Sequence, residues 1–297
     1  MRRLAMSRSK RSPRGSRRAV LGIDAAWTNE NPSGVALVFE DGKGRWRCAV
    51  IAPSYDQFIN ACKNGNKNGN MKWKETPQGS RPDVKNILEA ARSKPGDKFQ
   101  INVIAVDMPL SLQRVTERRT ADNEVSSEFG AKGCAAHSPT VGRPEALSAD
   151  MRAQCETEGY TLRVNNNGWV NGGNDSLIEV YPHTVALHLT KSNYRVPYKI
   201  SKSGKYWPGK SVDERKHNLL CKFQMLLNAL EDRMDIPNFT LPDCSDAPNL
   251  SHLKRYEDAL DALMCAWMGI EYLEGRSRPV GDANAAIWLP NLESRIK

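Results

Sequence analysis

Ile101-Asn102-Val103-Ile104-Ala105-Val106-Asp107 (INVIAVD) is an apolar run that stops on an aspartate, and Ala19 to Asp24 (AVLGID) has the same form. Near-continuous apolar runs of this length mark strands covered on both faces, so the two read as a central, largely parallel pair. In open α/β sheets the ligand crevice lies beyond the carboxyl ends of such strands, which directs Asp24 and Asp107 toward one site. Further out, Gly34 to Glu40 (GVALVFE) and Arg45 to Ala52 (RWRCAVIA) are strands joined by the hairpin signal Asp41-Gly42-Lys43-Gly44. Val84, Ile87, Leu88 and Ala91 predict a helix within Pro82 to Ser93. Ser176 to Tyr181 (SLIEVY) resumes the strands, while Ala146 to Glu158, Val212 to Leu230 and His252 to Leu273 read as helices. Lys63 to Asn70 (KNGNKNGN) and Asn165 to Asp175 (NNNGWVNGGND) read as exposed loops. The expected architecture is α/β, a mixed sheet flanked by helices. One domain spans 19–297, and 108–175 is a loop-rich insertion over the sheet.

The chain has 297 residues, 39% of them apolar, which is enough for a substantial core. No stretch approaches the ~20 apolar residues of a spanning helix, so no membrane is expected as a partner. Lys and Arg number 43 against 34 Asp and Glu, a net charge of +9, but eight of the basic residues fall in 1–18 with no acid among them. The remaining 35 and 34 nearly cancel. That Arg/Ser-rich tail is too polar to bury and is expected to be disordered. Three readings of it stay open: a solubilising leader ahead of an internal start at Met6, an arm gripping phosphates, or an organellar transit segment. Seven scattered cysteines without a C-x-x-C pair disfavour a disulfide framework or zinc ribbon, and a reducing, cytoplasmic setting follows.

A third acid, Glu179, interrupts SLIEVY where an apolar residue belongs, and burying an isolated carboxylate is costly. Asp258 and Asp261 are three apart and share a helix face that continues through Cys265 and Met268. From Ala262 to Ile270 that helix is apolar nearly all round, so it is buried and its acidic end abuts the sheet. Each acid also has a bland reading. Asp24 and Asp107 suit strand-terminal turns, Glu257 and Asp258 suit the macrodipole of a first helical turn, and Glu179 suits an arginine partner. Convergence of four such positions argues for oxygen ligands of a hard cation, Mg²⁺ or Mn²⁺, and not for zinc. Arg114, Arg118, Arg119, Lys132 and Arg143 read either as a phosphate-binding patch or as a solvated face. Arg119 and Asp122 are also spaced for a salt bridge. His137 and His183 read as acid or base groups or as structural histidines. Trp169, Tyr206 and Trp207 read as base-stacking residues or as packing over the sheet edge. Neither a P-loop nor a G-x-S-x-G elbow is present.

The opening strand with Asp24, the meander after it, the strand ending in Asp107 and the helix Asp258-Ala259-Leu260-Asp261-Ala262-Leu263 together resemble the RNase H-like superfamily. The helix is similar to the D-A-x-D-A-L helix of RuvC-type Holliday-junction resolvases. More narrowly, Gly22-Ile23-Asp24-Ala25-Ala26-Trp27, Ala105 to Leu110 (AVDMPL), Ile178 to His183 (IEVYPH) and Gly281 to Pro290 (GDANAAIWLP) resemble the domain-of-unknown-function family numbered 429. That family is described as nucleases expected to have an RNase H fold. The resemblance implies a two-metal phosphodiesterase acting on DNA or RNA. In it Asp24 bridges two Mg²⁺ or Mn²⁺ ions, and Asp107, Glu179 and Asp258 or Asp261 supply the other ligands. Resolvases act as dimers, which implies a homodimer, although the chain has no obvious self-complementary helix. Two rivals remain. A non-catalytic nucleic-acid-binding module would leave the acids structural. An actin-like or sugar-kinase ATPase would need a duplicated domain and a second Gly-rich phosphate loop, neither of which is visible.

Overall fold

The computed structural model describes residues 17–64, 73, 75–93, 99–137, 139–140, 143–165 and 175–291. Residues 1–16 of the basic tail, most of the two polar loops and Trp169 lie outside them. In chain order the elements are β1 (Arg17–Asp24), β2 (Gly34–Glu40), β3 (Trp46–Ala52), α1 (Tyr55–Asn64), α2 (Val84–Arg92), β4 (Phe99–Val106), α3 (Thr120–Phe129), α4 (Glu145–Thr157) and β5 (Thr161–Leu162). Then come β6 (Ser176–Val180), α5 (Pro182–Thr190), α6 (Ser203–Tyr206), α7 (Val212–Glu231), α8 (Leu250–Leu273), β7 (Ser277–Gly281) and β8 (Ala286–Pro290).

The strands form one sheet in the order β3-β2-β1-β4-β6-β8-β7, with β5 also paired to β6. β1, β2 and β3 are an antiparallel meander, β4 runs parallel to β1, β6 to β4 and β8 to β6, and β7 is antiparallel to β8. Asp41 to Gly44 makes the expected hairpin, with Gly42 and Gly44 both at φ +79°. The period of two along each strand divides the core. Val20, Ala36, Val38, Val103 and Ala105 face α5, α7 and α8, whereas Leu21, Ile23, Val35, Leu37 and Ile104 face α1, α2 and α4. Both faces are covered, which is why the central strands are apolar throughout.

β1 begins at Arg17, two residues into the stretch expected to be tail. Arg18 is held there by Glu40 at 2.9 Å and Glu274 at 2.6 Å. The inserted region carries α3 and α4, and Arg119 and Asp122 do pair. All seven cysteines are free thiols. Among the described residues, no helix is long and apolar enough to cross a membrane.

Glycines set the close approach of α8. A Cβ on Gly22 would meet the Ala262 carbonyl at 2.2 Å and the Ala266 amide nitrogen at 2.4 Å. One on Gly34 would meet the Asp258 carbonyl at 2.1 Å, and one on Gly269 the Val20 side chain at 2.4 Å. The helix therefore runs antiparallel to β1, with its first half over the strand's carboxyl end. Gly22→Ala is expected to lower stability by roughly 1 to 3 kcal/mol, because backbone cannot yield as a side chain can. A lower urea midpoint at unchanged m-value is the readout; an unchanged midpoint would refute the close contact.

Candidate active site

Asp24 is the last residue of β1, and Asp107 follows β4 directly, its amide donating to the Ile23 carbonyl at 2.9 Å. Both strands point the same way, so both half-buried carboxylates emerge at one edge of the sheet. The packing of α8 brings Asp258 and Asp261 to that edge. Asp24, Asp107, Asp258 and Asp261 lie close enough there for their charges to act on one another, whereas the expected convergence also took in Glu179. Neither the Asp24 nor the Asp107 carboxylate has a hydrogen-bond or ion-pair partner among the described residues. Burial, then the Asp258 charge, pushes Asp24 up to about 7. Burial and the Asp24 charge push Asp107 well above the carboxylate range. Burial also raises Asp261 to about 7, against the pull of Lys199, and Asp258 to about 6, against the pull of Lys254.

Two lysines that sequence reasoning missed are set among these acids. Lys199 pairs with Asp261 and lies 3.5 Å from Glu257; Lys254 pairs with Asp258 and lies 3.0 Å from Glu257. The Tyr198 hydroxyl donates to the other Asp261 oxygen at 2.7 Å. Glu257 also accepts from the Ile200 amide at 2.7 Å, and although burial pushes its carboxyl up, Lys254 and Lys199 bring it below its usual value. The macrodipole reading of Glu257 and Asp258 does not hold: α8 starts at Leu250, which places both beyond the first turn. Among the described residues no three His, Cys, Asp or Glu side chains are gathered to hold a metal ion as they stand. The lysines already supply positive charge to the α8 acids. The chemistry of the cluster is nevertheless that of a hard-cation donor set, since its acidic groups are all carboxylates. Asp258 Oδ2 is moreover buried without a partner.

Glu179 is engaged elsewhere. Arg119 Nη1 donates to its Oε2 at 2.6 Å and Nη2 to its Oε1 at 2.7 Å, and the Leu110 amide adds 2.7 Å to Oε2. It takes the arginine-partner reading, and in this arrangement it is not a free ligand. Three of the five members of the expected basic patch are paired within the chain. Arg119 is buried between Glu179 and Asp122, Arg114 pairs with Glu145, and Arg118 donates to the Ala136 and Asp122 carbonyls. Lys132 stands over the Phe129 ring at 5.2 Å, and Arg143 precedes Pro144 on the surface.

A cleft of about 260 Å³ opens beside the acids, lined by Asp107, Glu179 and Glu257 together with Arg195, Lys199, Lys202 and Lys254. His137 and Trp27 also line it. His183 is buried, lines the same cleft and has its Nε2 2.7 Å from Arg195 Nη2; burial pushes its imidazole well below its usual value. Burial, then Arg195, also lowers His137. Trp207 packs against the core and meets Tyr206 edge-on at 5.7 Å, the packing reading of that pair. Lys254 was legible, since it lies three and four residues before Glu257 and Asp258 on one helix. Lys199, Tyr198 and Arg195 sit in a connection without periodicity, where no local pattern marks them. No curated protein and no solved structure gives a significant match. A family match over residues 22–285 takes in both strand-end aspartates and the whole of α8, and the chain belongs to that family, described as "Protein of unknown function (DUF429)".

Proposed function

We propose that this protein is a divalent-cation-dependent nuclease, hydrolysing phosphodiester bonds of DNA or RNA. The observation that carries the reading is the meeting of Asp24, Asp107, Asp258 and Asp261 at the carboxyl end of β1 and β4, two of them unpartnered. The sheet order β3-β2-β1-β4-β6, antiparallel and then parallel, supports it as the arrangement expected of an RNase H-like chain. The four aspartates would hold Mg²⁺ or Mn²⁺. Ions bound there supply a water activated for attack and charge stabilisation of the leaving oxygen. Arg195, Lys199, Lys202 and Lys254, which line the cleft, would orient the anionic backbone in it. Glu179 and Arg119 position the turn that bears Asp107, through the Leu110 amide and carbonyl.

The test is cleavage by the full chain of end-labelled single strand, duplex, DNA–RNA hybrid and four-way junction, with Mn²⁺ or with chelator. Mn²⁺-dependent cleavage of at least one substrate, lost in chelator, is expected. Intact substrates throughout would overturn the reading and leave the acids as a structural cluster in a binding module.

A further inference from the structure

Five carboxylates, Asp24, Asp107, Glu257, Asp258 and Asp261, meet two ammonium groups, Lys199 and Lys254. Asp261 is 0% exposed and Glu257 and Asp258 are 2% exposed, so each needs positive charge close by. From these observations we infer that Lys199 and Lys254 are resident cations of this cluster, holding the place of a divalent ion and competing with it. The inference rests on the metal-dependent reading above.

Three features argue for exchange over a permanent salt-bridge core. The compensation is incomplete: Asp258 Oδ2 is buried with no partner, and Asp24 and Asp107 have none. Each lysine has room to leave, since both line the cleft, and the Lys254 side chain is 47% exposed. A lysine also carries its charge on a flexible four-carbon stem, so it can swing out without moving the backbone, which a guanidinium fork at a bidentate site does not do. Once displaced, both ammoniums face the cleft, where a substrate phosphate would meet them. The metal-free protein is thereby spared a cluster of uncompensated buried charge.

The experiment is Mn²⁺ titration of chelator-treated full-length protein, followed by calorimetry and by the thermal midpoint. The chains are wild type, Lys199→Met, Lys254→Met and Asp24→Asn. Removing a competing charge is expected to tighten Mn²⁺ binding about tenfold in either lysine variant. It should also lower the metal-free midpoint and enlarge the rise that Mn²⁺ produces. Mn²⁺ binding by a lysine variant alone would support the inference equally. Wild-type affinity in both lysine variants, with binding lost in Asp24→Asn, would overturn the inference and leave the metal site standing. No Mn²⁺ binding by any chain would overturn both. Should Lys199→Met not fold in chelator, the half-exposed Lys254→Met gives the same readings.

Discussion

Asp24→Asn is expected to reduce Mn²⁺-dependent cleavage by about a thousandfold, since the cation's charge stabilisation is worth several kcal/mol. Asp24 is the one aspartate at the end of β1, beside Asp107 and beneath the acidic half of α8, so its loss weakens every arrangement in which the four share an ion. In metal-free buffer the same variant is expected to be at least as stable as wild type. The Asp24 carboxyl sits at about 7 in the fold against an ordinary 3.8, so the folded chain holds this proton more tightly than the unfolded one. The stability that goes with the bound proton is complete below 3.8 and is lost as pH rises through about 7. The variant's advantage should therefore be absent near pH 4 and full near pH 8, read as the difference in midpoint between the two chains. A variant with wild-type cleavage would remove Asp24 from the site. A variant less stable at pH 8 would mean that the carboxylate has a partner in solution.

What was legible in the sequence follows from which interactions are local. The apolar strands, the hairpin at Asp41 to Gly44 and the helix bearing Asp258 and Asp261 are written in periods of two or 3.6 and in turn chemistry, so their positions are visible without the fold. α1 escaped notice because only Tyr55, Phe58 and Cys62 of its ten residues are buried, and α5 because it is buried nearly all round and follows β6 at once. The aspartates could be grouped because strand ends and one helix face converge by topology. Apart from Lys254, on the same helix as Glu257 and Asp258, their counter-charges could not be grouped that way. Lys199 reaches Asp261 across 62 residues and Arg119 reaches Glu179 across 60, and both come from connections or helix starts without a pattern. The same blindness made Arg114 and Arg119 look like part of a patch, since Glu145 and Glu179 lie 31 and 60 residues from them.

Arg119→Leu is expected to be the most destabilising substitution outside the apolar core, costing about 3 to 5 kcal/mol. The guanidinium is buried, spans both oxygens of Glu179 and both of Asp122, and also donates to the Leu110 carbonyl at 2.7 Å. Removing it strands two buried carboxylates at once, and water does not replace the charge. Lysine is not a substitute, because a single ammonium cannot present a planar fork to two carboxylates. Arg119→Lys should therefore recover only a minor part of the loss in urea unfolding. Replacing the acid together with its partner, as in Arg119→Leu with Glu179→Leu, should recover more than Arg119→Lys, since an apolar pair leaves one fewer stranded charge. The Leu110 amide loses its acceptor in that double variant, so the turn carrying Asp107 loosens and Mn²⁺ affinity should fall even as stability returns. Recovery of stability together with full Mn²⁺ affinity would mean that Asp107 is held by β4 and the Ile23 carbonyl alone. An Arg119→Leu chain as stable as wild type would mean that Glu179 and Asp122 find other partners.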